Sequence, residues 1–451
     1  MTKLFGTDGI RGKANQYPIT PEIALWTGKA IAKIFKESGR SRPRAIIGKD
    51  TRLSGYMLET ALTSGLVSMG MDVFEIGPMP TPAVAHLTRS MCADCGIMIT
   101  ASHNPASDNG IKIFDRAGYK LPDEVEARIE KEVCRMIADH TVAGPEEIGK
   151  AFRIDDARGR YIEFAKSSIK NHSLDGMRVV LDCANGAAYY IAPLILKELG
   201  VELIRTATSP DGSNINENCG ATHPQNMVRL VKEYGADAGI SLDGDADRVI
   251  FADHLGNIVN GDRIIGLCAL DYKARNRLSN NTIAVTCMSN LGLTEAMTRA
   301  GIRTEVTPVG DRYVIERMRD LDLNLGGEQS GHLIFHDYAT TGDGIISALH
   351  VLRLMKRKNA TLNELAGSFM TEFPQLLTNI PVQEKVPLEE LPGVIRTVED
   401  ARAALGSAGK IMVRYSGTEN KLRVLVEARS RELAEKWHGH ICSAVRKAVE
   451  K

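Results

Sequence analysis

Three aspartates at alternate positions form the densest group of chemically useful side chains in the sequence. Asp243, Asp245 and Asp247 directly follow an apolar run, and an extended backbone would point all three to one side. Because close, unpaired carboxylates repel each other, a divalent cation is their natural partner. Oxygen-only ligands favour magnesium over zinc or copper, with one ion per subunit. A solvated acidic turn is the alternative, and the next residue, Arg248, suits a phosphate oxygen.

A second cluster surrounds Ser102, in the segment T-A-S-H-N-P that begins at Thr100. A serine hydroxyl is a poor nucleophile unless a base or a metal assists it. His103 is adjacent, and we expect Lys112 beyond a turn at residues 109–110. The chain lacks the G-x-S-x-G elbow of α/β-hydrolases and the glycine-rich nucleotide cradles. Alone, the segment is typical of a hydrogen-bonded polar turn, and it becomes a catalytic candidate only beside a metal site.

Two arginines, two hydroxyls and a glycine lie within the ten residues from Arg414 to Arg423. An arginine side chain can bind phosphate through two parallel hydrogen bonds, and a glycine turn can aim backbone N–H groups at the same oxygens. The pattern predicts a phosphate site, although a hairpin with half-exposed arginines explains it equally well. The segments 5–12 and 48–52 are similar but weaker candidates.

The segment from Glu328 to His332 offers a carboxylate, a hydroxyl and an imidazole, but no cluster of cations. Such a set suits the hydroxyl groups of a sugar better than it suits phosphate. His332 could carry a proton, although a single histidine more often has a structural role. The segment therefore predicts a sugar-binding loop.

These groups follow short β-rich runs that alternate with helix-length segments. Three stretches of the chain repeat one order, in which a strand, a helix, a second strand and a closing strand follow each other. The closing strands are expected at residues 96–100, 239–242 and 323–325, each directly before one polar loop. Ligands of open α/β sheets bind beyond the carboxyl ends of strands, so the layout predicts three similar α/β layered domains. Strands at 410–414 and 422–427 and a helix at 431–449 predict a smaller C-terminal α+β domain.

Length and composition bound the number of domains and the class of partner. A chain of 451 residues predicts three or four domains, which we place at 1–150, 151–253, 254–370 and 371–451. The 56 basic and 56 acidic residues cancel, which disfavours nucleic-acid and membrane binding and favours a small-molecule partner. No run reaches the ~18 apolar residues of a membrane span, and the N-terminus is too polar for a signal peptide. With eight scattered cysteines, the sequence predicts a cytoplasmic protein.

Five motifs, in order, make the chain resemble the α-D-phosphohexomutase family over nearly its whole length. They are F-G-T-D-G-I-R-G from Phe5, T-A-S-H-N-P from Thr100, D-G-D-A-D-R from Asp243, G-G-E-Q-S-G-H from Gly326 and R-Y-S-G-T-E from Arg414. Gln329, Gly417 and the segment 309–314 are most similar to the bacterial branch that acts on glucosamine phosphates. The departures from the family pattern remove no group that its mechanism needs.

The resemblance implies mixed sheets, an active site in the central cleft and a role for each motif residue. Ser102 would carry a phosphoryl group and, through it, join Asp243, Asp245 and Asp247 around magnesium. Arg11 and Arg248 would steady the transferring phosphoryl group, and Lys112 and His332 would move protons. His103, next to Ser102, is a further catalytic candidate. The candidates for substrate binding are Gly310, Asp311, Glu328, Ser330, Arg414, Ser416, Gly417, Thr418 and Arg423.

By the same resemblance the chain would be an isomerase. It would interconvert glucosamine 6-phosphate and glucosamine 1-phosphate through phosphoserine and a 1,6-bisphosphate, feeding UDP-N-acetylglucosamine synthesis. Glucosamine 1,6-bisphosphate or glucose 1,6-bisphosphate would activate it. A homodimer, and activation by a kinase or by autophosphorylation, stay open. So do three alternatives: a phosphomannomutase or phosphoglucomutase of the same family, a metal-dependent sugar phosphatase, and a non-catalytic sugar-phosphate sensor.

Overall fold

The structure is a computed structural model that describes residues 3–6, 8–37, 39–40, 42–139, 143–415 and 420–449. The chain folds into two compact units. The first unit holds residues 1–287 and 305–367, and the second holds residues 288–304 and 368–451. Both units pack helices on β-sheets, which places the chain in the α/β class.

The N-terminal part of the first unit is a seven-stranded sheet with helices against it. Its elements are β1 (Phe5–Gly6), β2 (Gly9–Lys13), α1 (Pro21–Lys36), β3 (Arg44–Lys49), α2 (Leu53–Ser68), β4 (Asp72–Pro78), α3 (Thr81–Ser90), β5 (Cys95–Ile99), β6 (Asp108–Asp115), α4 (Asp123–Asp139) and β7 (Ala151–Arg153). The strand order is β1-β2-β6-β5-β3-β4-β7. Strands β3 and β5 are almost entirely buried, which explains their uninterrupted apolar sequences.

Helices α1 and α2 cross closely on this sheet. Helix α1 begins after Thr20, whose side chain accepts a hydrogen bond from the backbone N–H of Ile23. Gly28 and Gly65 permit the close crossing, because a Cβ atom at Gly65 would lie 2.2 Å from the carbonyl oxygen of Leu25. The main core of this region lies between these helices and the sheet.

The second sheet of the first unit has five strands. Its elements are α5 (Ala157–Ser168), β8 (Arg178–Asp182), α6 (Ile191–Glu198), β9 (Glu202–Thr206), α7 (Gln225–Tyr234), β10 (Ala238–Leu242), β11 (Val249–Asp253) and β12 (Ile258–Val259). The strand order is β12-β11-β10-β8-β9. The parallel strands β8 and β10 are buried apart from Arg178, and β10 contains the closing strand predicted at residues 239–242.

The third sheet has four strands. In chain order, the elements from residue 261 to residue 367 are α8 (Gly261–Ala274), β13 (Thr282–Thr286), α9 (Leu291–Arg299), β14 (Arg303–Thr307), α10 (Asp311–Asp320), β15 (Leu325–Gly327), β16 (Leu333–Phe335), α11 (Gly344–Lys358) and α12 (Leu362–Gly367). The strand order is β14-β13-β15-β16, and helix α9 belongs to the second unit.

Each of the three sheets contains one hairpin that holds a polar loop. The serine loop (100–107) joins β5 to β6, the metal loop (243–248) joins β10 to β11, and the sugar loop (328–332) joins β15 to β16. The first strand of each hairpin also pairs in parallel with a neighbour, β3, β8 or β13. The sheets are therefore mixed, as the family resemblance implied.

The structure corrects two local predictions. Residues 109–110 lie inside β6 and not in a turn, and Gly110 pairs with Arg11 of β2. A Cβ atom at Gly110 would lie 2.7 Å from the carbonyl oxygens of Ile10 and Thr100, so this glycine permits close backbone approach instead of a reversal. The third closing strand is Leu325–Gly327 instead of residues 323–325, because the following hairpin begins later than the apolar residues suggest.

The second unit is a three-stranded antiparallel sheet with helices packed on it. Besides α9, its elements are β17 (Gln375–Pro381), α13 (Pro392–Leu405), β18 (Gly409–Tyr415), β19 (Lys421–Ala428) and α14 (Arg431–Val449). The strand order is β17-β19-β18, and Val424 and Val426 of β19 pack in one core with Ile441 and Val445 of α14. The predicted strands and C-terminal helix of a small α+β domain are confirmed.

Residues 288–304 are tied to this second unit by side-chain hydrogen bonds. The Asn290 side chain both donates to the carbonyl of Phe373 and accepts from its N–H, each at 2.9 Å. The buried carboxylate of Glu427 accepts from the N–H of Leu291 at 2.5 Å and lies 3.0 Å from Lys410 Nζ. The second unit is thus built from two separate parts of the chain. The four domain boundaries proposed from the sequence stay predictions.

Candidate active site

Ser102 lies in the serine loop with its hydroxyl aimed at the metal loop. Its Oγ donates a hydrogen bond to Asp243 Oδ2 at 2.6 Å, and its N–H donates to Thr100 Oγ1 at 2.9 Å. Ser102 is 1% exposed and has a φ of 52°, in the left-handed region that residues with a Cβ atom rarely adopt. The structure therefore brings together two motifs that are 141 residues apart in the sequence.

The three aspartates form one buried cluster of oxygen ligands. One carboxylate oxygen from each of Asp243, Asp245 and Asp247 lies within 4.8 Å of the other two. Oδ1 of Asp245 and Oδ1 of Asp247 are buried and have no hydrogen-bond partner among the described residues. Buried oxygens without partners are costly unless an ion or a water completes them. This donor set fits a hard divalent cation.

Neighbouring groups offset part of the negative charge of the cluster. Lys112 Nζ lies 2.9 Å from Asp245 Oδ2, and Thr81 Oγ1 donates to the same oxygen at 2.6 Å. Burial and repulsion from the other two aspartates raise the pKa of Asp243 well above its usual value. Burial acts in the same direction on Asp247, but Lys112 and other cations outweigh it and hold the pKa of Asp247 well below the usual range. Of these two carboxylates, Asp243 is the one whose charge is more in need of a bound cation.

Lys112 remains an ammonium ion in this environment. Burial alone would lower its pKa, but the carboxylates of Asp245, Asp8 and Asp247 outweigh burial and raise the pKa. A lysine that holds its proton this firmly can donate hydrogen bonds and balance charge, but it is a poor base at neutral pH.

Two arginines lie beside the serine and metal loops. Arg11 Nη1 donates to the carbonyl of Ala101 at 3.3 Å, and the Arg11 guanidinium pairs with Asp8. The N–H of Arg248 donates to Asp243 Oδ1 at 3.2 Å, while its buried Nε has no hydrogen-bond partner among the residues that the structure describes. Both arginines therefore contact the serine loop or the metal loop directly.

The two candidate histidines differ in their protonation. His103 Nδ1 lies 3.3 Å from Ser102 Oγ, but burial and the nearby arginines lower the pKa of His103 to about 4. For His332, burial alone would lower the pKa, but the carboxylates of Asp247 and Asp311 outweigh it and raise the pKa. His332 Nε2 accepts the N–H of Gly342 at 2.9 Å, and its Nδ1 lies 3.7 Å from Asp247 Oδ1. His103 is therefore a weak base, whereas His332 holds its proton more firmly than an ordinary histidine does.

The sugar loop is held in place by its own side chains. Glu328 accepts the N–H of Gly310 at 3.3 Å through Oε1 and the hydroxyl of Ser330 at 3.1 Å through Oε2. Asp311, the next residue after Gly310, lies 3.6 Å from His332 Nε2. Four predicted substrate-binding residues, Gly310, Asp311, Glu328 and Ser330, are thus neighbours.

Several residues of the site were not recognised in the sequence. Lys120 pairs with Asp8 and lies 2.6 Å from Asp311 Oδ2, so it links the first motif of the chain to the sugar-loop region. Thr81 contacts Asp245 from 164 residues away in sequence. Asp8 lies inside the glycine-rich motif 5–12, which could have drawn attention to it, but Thr81 and Lys120 carry no local signal.

The predicted phosphate loop belongs to the second unit. Ser416, Gly417 and Thr418 lie outside the described residues. Arg414 on β18 and Arg423 on β19 are directly opposite each other in the antiparallel ladder. Side chains at opposed positions of an antiparallel pair lie on the same face of the sheet, so both guanidinium groups could bind one phosphate.

Comparisons with known proteins agree with this geometry. Residues 2–137, 159–256 and 260–373 match the family descriptions of phosphoglucomutase/phosphomannomutase alpha/beta/alpha domains I, II and III, and residues 377–443 match the C-terminal domain. The chain therefore belongs to the phosphoglucomutase/phosphomannomutase family, a family of isomerases that move phosphoryl groups.

Within this family, the chain is similar to proteins named phosphoglucosamine mutase. The protein from Geotalea daltonii is 52% identical over 450 residues, which cover 100% of this chain and 99% of the relative. Other curated relatives with the same name include the 52% identical protein of Anaeromyxobacter dehalogenans.

Solved structures show the same fold. A phosphoglucomutase/phosphomannomutase family protein from Burkholderia thailandensis has a TM-score of 0.82 at 23% identity, covering 99% of this chain and 97% of its own. N-acetylphosphoglucosamine mutase of Aspergillus fumigatus, solved in complex with GlcNAc-6P and magnesium, has a TM-score of 0.69 at 19% identity, covering 99% and 96%. In the present chain, the cluster of Asp243, Asp245 and Asp247 could hold a metal ion. Among the described residues, no helix combines the length and the apolar character that a membrane crossing needs.

Proposed function

We propose that the chain interconverts glucosamine 6-phosphate and glucosamine 1-phosphate, with Ser102 as the phosphoryl carrier. The observation that carries this proposal is the Ser102 hydroxyl, 2.6 Å from Asp243 in a buried cluster of carboxylates. A serine beside a metal-ligating cluster suits phosphoryl transfer, which depends on positioning and charge neutralisation. The choice of a glucosamine phosphate rests on whole-length similarity to relatives of that name.

In the proposed reaction, phospho-Ser102 gives its phosphoryl group to O1 of glucosamine 6-phosphate, whose hydroxyl proton leaves. The resulting 1,6-bisphosphate turns round and returns its 6-phosphoryl group to Ser102, and O6 regains a proton. Arg11 and Arg248, which border Ser102 and Asp243, would hold the transferring group. The ammonium ion of Lys112 would balance charge, and His332, with its raised pKa, is the better candidate than His103 for moving the proton.

We assign the metal to Mg²⁺, held by Asp243, Asp245 and Asp247 together with the phosphate on Ser102. When bound, the ion would neutralise negative charge on the transferring phosphoryl group. Oδ1 of Asp245 and Oδ1 of Asp247, which accept no hydrogen bond from the described residues, support this assignment. A 1,6-bisphosphate of glucosamine or glucose as the activator follows from the same cycle, because it would phosphorylate Ser102.

The sugar and the second phosphate would be held by separate groups. Glu328 and Ser330 offer oxygens to sugar hydroxyls, with Gly310 and Asp311 beside them. We assign the phosphate that is not reacting to Arg414 and Arg423, together with Ser416, Gly417 and Thr418. The opposed positions of the two arginines on β18 and β19 support this role. A homodimer, an activating kinase or autophosphorylation, and a cytoplasmic location stay predictions from the sequence.

Mass spectrometry and a serine variant test the carrier. We expect phosphate on a peptide of the purified protein that contains Ser102, and no mutase turnover in Ser102→Ala. Ser107→Ala is the matched control, because Ser107 lies in the same loop with an exposed side chain bonded only to Asp108 among the described residues. Full turnover in Ser102→Ala would exclude the phosphoserine mechanism.

A second assay separates the competing functions. A mutase conserves the phosphate of its substrate, whereas a phosphatase releases it, so inorganic phosphate should not accumulate during turnover. We expect kcat/KM on glucosamine phosphate to exceed the values on glucose and mannose phosphates. A higher value on either hexose phosphate would reassign the substrate without changing the family.

A further inference from the structure

The segment 48–52 was a weak phosphate candidate in the sequence, but the structure gives its arginine another position. Arg52 has 0% of its side chain exposed and pairs with the equally buried Asp50. A guanidinium without access to solvent cannot receive the phosphate of a diffusing substrate. Its donors point at the backbone of the serine loop instead.

Arg52 and Asn216 converge on the same two carbonyl oxygens. Arg52 Nη2 donates to the carbonyl of Ser102 at 3.2 Å and to that of Asn104 at 2.6 Å. Asn216 Nδ2 donates to the same two oxygens at 2.9 Å and 3.0 Å. Asn216 belongs to the loop between β9 and α7, so two distant parts of the chain meet behind the serine loop.

The contacts coincide with an unfavourable backbone conformation. The φ of 52° at Ser102 costs about 1–2 kcal/mol for a residue with a Cβ atom, so surrounding contacts must favour it. The carbonyl oxygen of Ser102 accepts from both donors, and a buried carbonyl oxygen needs such partners. Gly244 of the metal loop also packs there, because a Cβ atom at this position would lie 2.5 Å from the Ser102 oxygen. The placement of Ser102 against the metal loop is therefore fixed through its backbone carbonyl.

We propose that Arg52 and Asn216 are positioning residues, a backbone clamp that holds Ser102 in its left-handed conformation and so aims Oγ at the aspartates. The inference rests on the proposed function, because positioning matters for turnover only if Ser102 carries the phosphoryl group. Neither residue touches the reacting atoms. A displacement of about 1 Å in a reacting group can reduce a rate about 10²-fold, so the clamp would act on kcat.

Asn216→Gly is the cleanest test of the clamp. Asn216 has a φ of 59°, which glycine adopts without strain. The change therefore removes the side-chain amide without straining the backbone. Asn218→Gly is the matched control, because Asn218 has a φ of 52° in the same loop and an exposed side chain. With one of two donors lost, we expect kcat to fall about tenfold with KM within about twofold, and Asn218→Gly to match the wild type.

Arg52→Lys is the second variant. Lysine keeps a positive charge beside Asp50 but lacks the planar fork that binds Asp50 through Nη1 and both carbonyls through Nη2, so we expect a larger loss of kcat than in Asn216→Gly. If Arg52→Lys fails to fold, Asn216→Gly still decides the question, because Asn216 carries no charge and leaves the Asp50–Arg52 pair intact.

Hydrogen–deuterium exchange gives a readout that does not depend on activity. We expect faster exchange in a peptide covering residues 100–110 of substrate-free Asn216→Gly, and no change in Asn218→Gly. Unchanged exchange would overturn the clamp, and so would a lower melting temperature with unchanged kcat. If the wild type lacked mutase turnover, the proposed function would fail, while the exchange result would still decide whether the clamp orders the loop.

Discussion

The metal loop and the arginine pair of β18 and β19 each gather charges of one sign, but in opposite surroundings. Asp243, Asp245 and Asp247 are at most 3% exposed. Arg414 and Arg423 are half-buried and opposite each other on two strands. Water and salt screen half-exposed charges, whereas buried charges need a partner within a few ångströms. The difference predicts a resident ion in the metal loop and an exchangeable anionic ligand at the arginines.

Removal of divalent ions should produce the largest effect. A bound cation contributes several kcal/mol to stabilising the charge on a transferring phosphoryl group, so chelation should lower turnover at least about 10³-fold. Added Mg²⁺ should restore it. Turnover that persists after complete chelation, checked by elemental analysis, would contradict the resident ion in the metal loop.

The stability of the ion-free protein sharpens the same point. Asp243→Asn removes repulsion within the carboxylate cluster, so we expect a melting temperature about 2–4 °C higher without divalent ions. The variant should also lose most of the stabilisation that Mg²⁺ gives the wild type. Asp155→Asn, with 91% of the Asp155 side chain exposed, is the control and should behave as the wild type.

Arg414→Ala should have the next largest effect. Loss of a charged hydrogen-bond pair to phosphate costs about 2–3 kcal/mol, so we expect kcat/KM to fall about 30- to 150-fold. The free energy of unfolding should stay within about 1 kcal/mol of the wild-type value, because the change also removes repulsion across the strands. Arg431→Ala, on a side chain 77% exposed, is the control. Unchanged kinetics in Arg414→Ala would move the phosphate site elsewhere.

Ionic strength should affect the aspartate cluster and the arginine pair differently, by a smaller amount than the Arg414→Ala change. Raising the ionic strength should raise KM for the sugar phosphate several-fold, because the arginine pair is half-exposed and therefore screened. The Mg²⁺ requirement for turnover should depend less on salt, since the aspartates are buried. Equal salt dependence of both would contradict the division between resident ion and exchangeable ligand.

The smallest expected effect is on the pH dependence of stability and comes from His86, which belongs to neither charge cluster. Its ring stacks on Phe164 at 3.7 Å between centroids, and burial together with Arg89 lowers its pKa to about 4. The folded state thus favours the neutral imidazole. The neutral His86 ring therefore contributes fully to the stability of the folded state above the unfolded pKa of about 6.5, and this contribution is lost as the pH falls through about 4. His86→Phe keeps the stack without the titration. Its melting temperature should fall less than that of the wild type between pH 7 and pH 4.5.

Much of the fold could be predicted from local patterns. The buried strand β10, for example, was found where the apolar residues 239–242 predicted a closing strand. Strand β6, the second strand of the serine-loop hairpin, was not predicted. It begins with Asp108, Asn109 and Gly110, which are typical of a turn. Only the pairing with β2 and β5, which is not local, makes them a strand.

The same limit applies to the candidate site. Dense motifs marked the metal, serine and sugar loops, and the structure brings their residues together. Contacts such as Thr81 with Asp245, or Asn216 with Ser102, join residues more than 100 positions apart and leave no mark on the local sequence. The burial of Arg52 could not be predicted either, because an arginine in a polar segment is normally exposed.

The discontinuity of the second unit limits how the chain can be divided into fragments. A fragment that begins at residue 371 would lose Asn290 and Leu291, which bond to Phe373 and Glu427. Glu427 would then keep its buried carboxylate with one donor fewer, and burial already raises its pKa. Excision of this unit for separate expression should therefore include residues 288–304, joined by a linker ahead of residue 368.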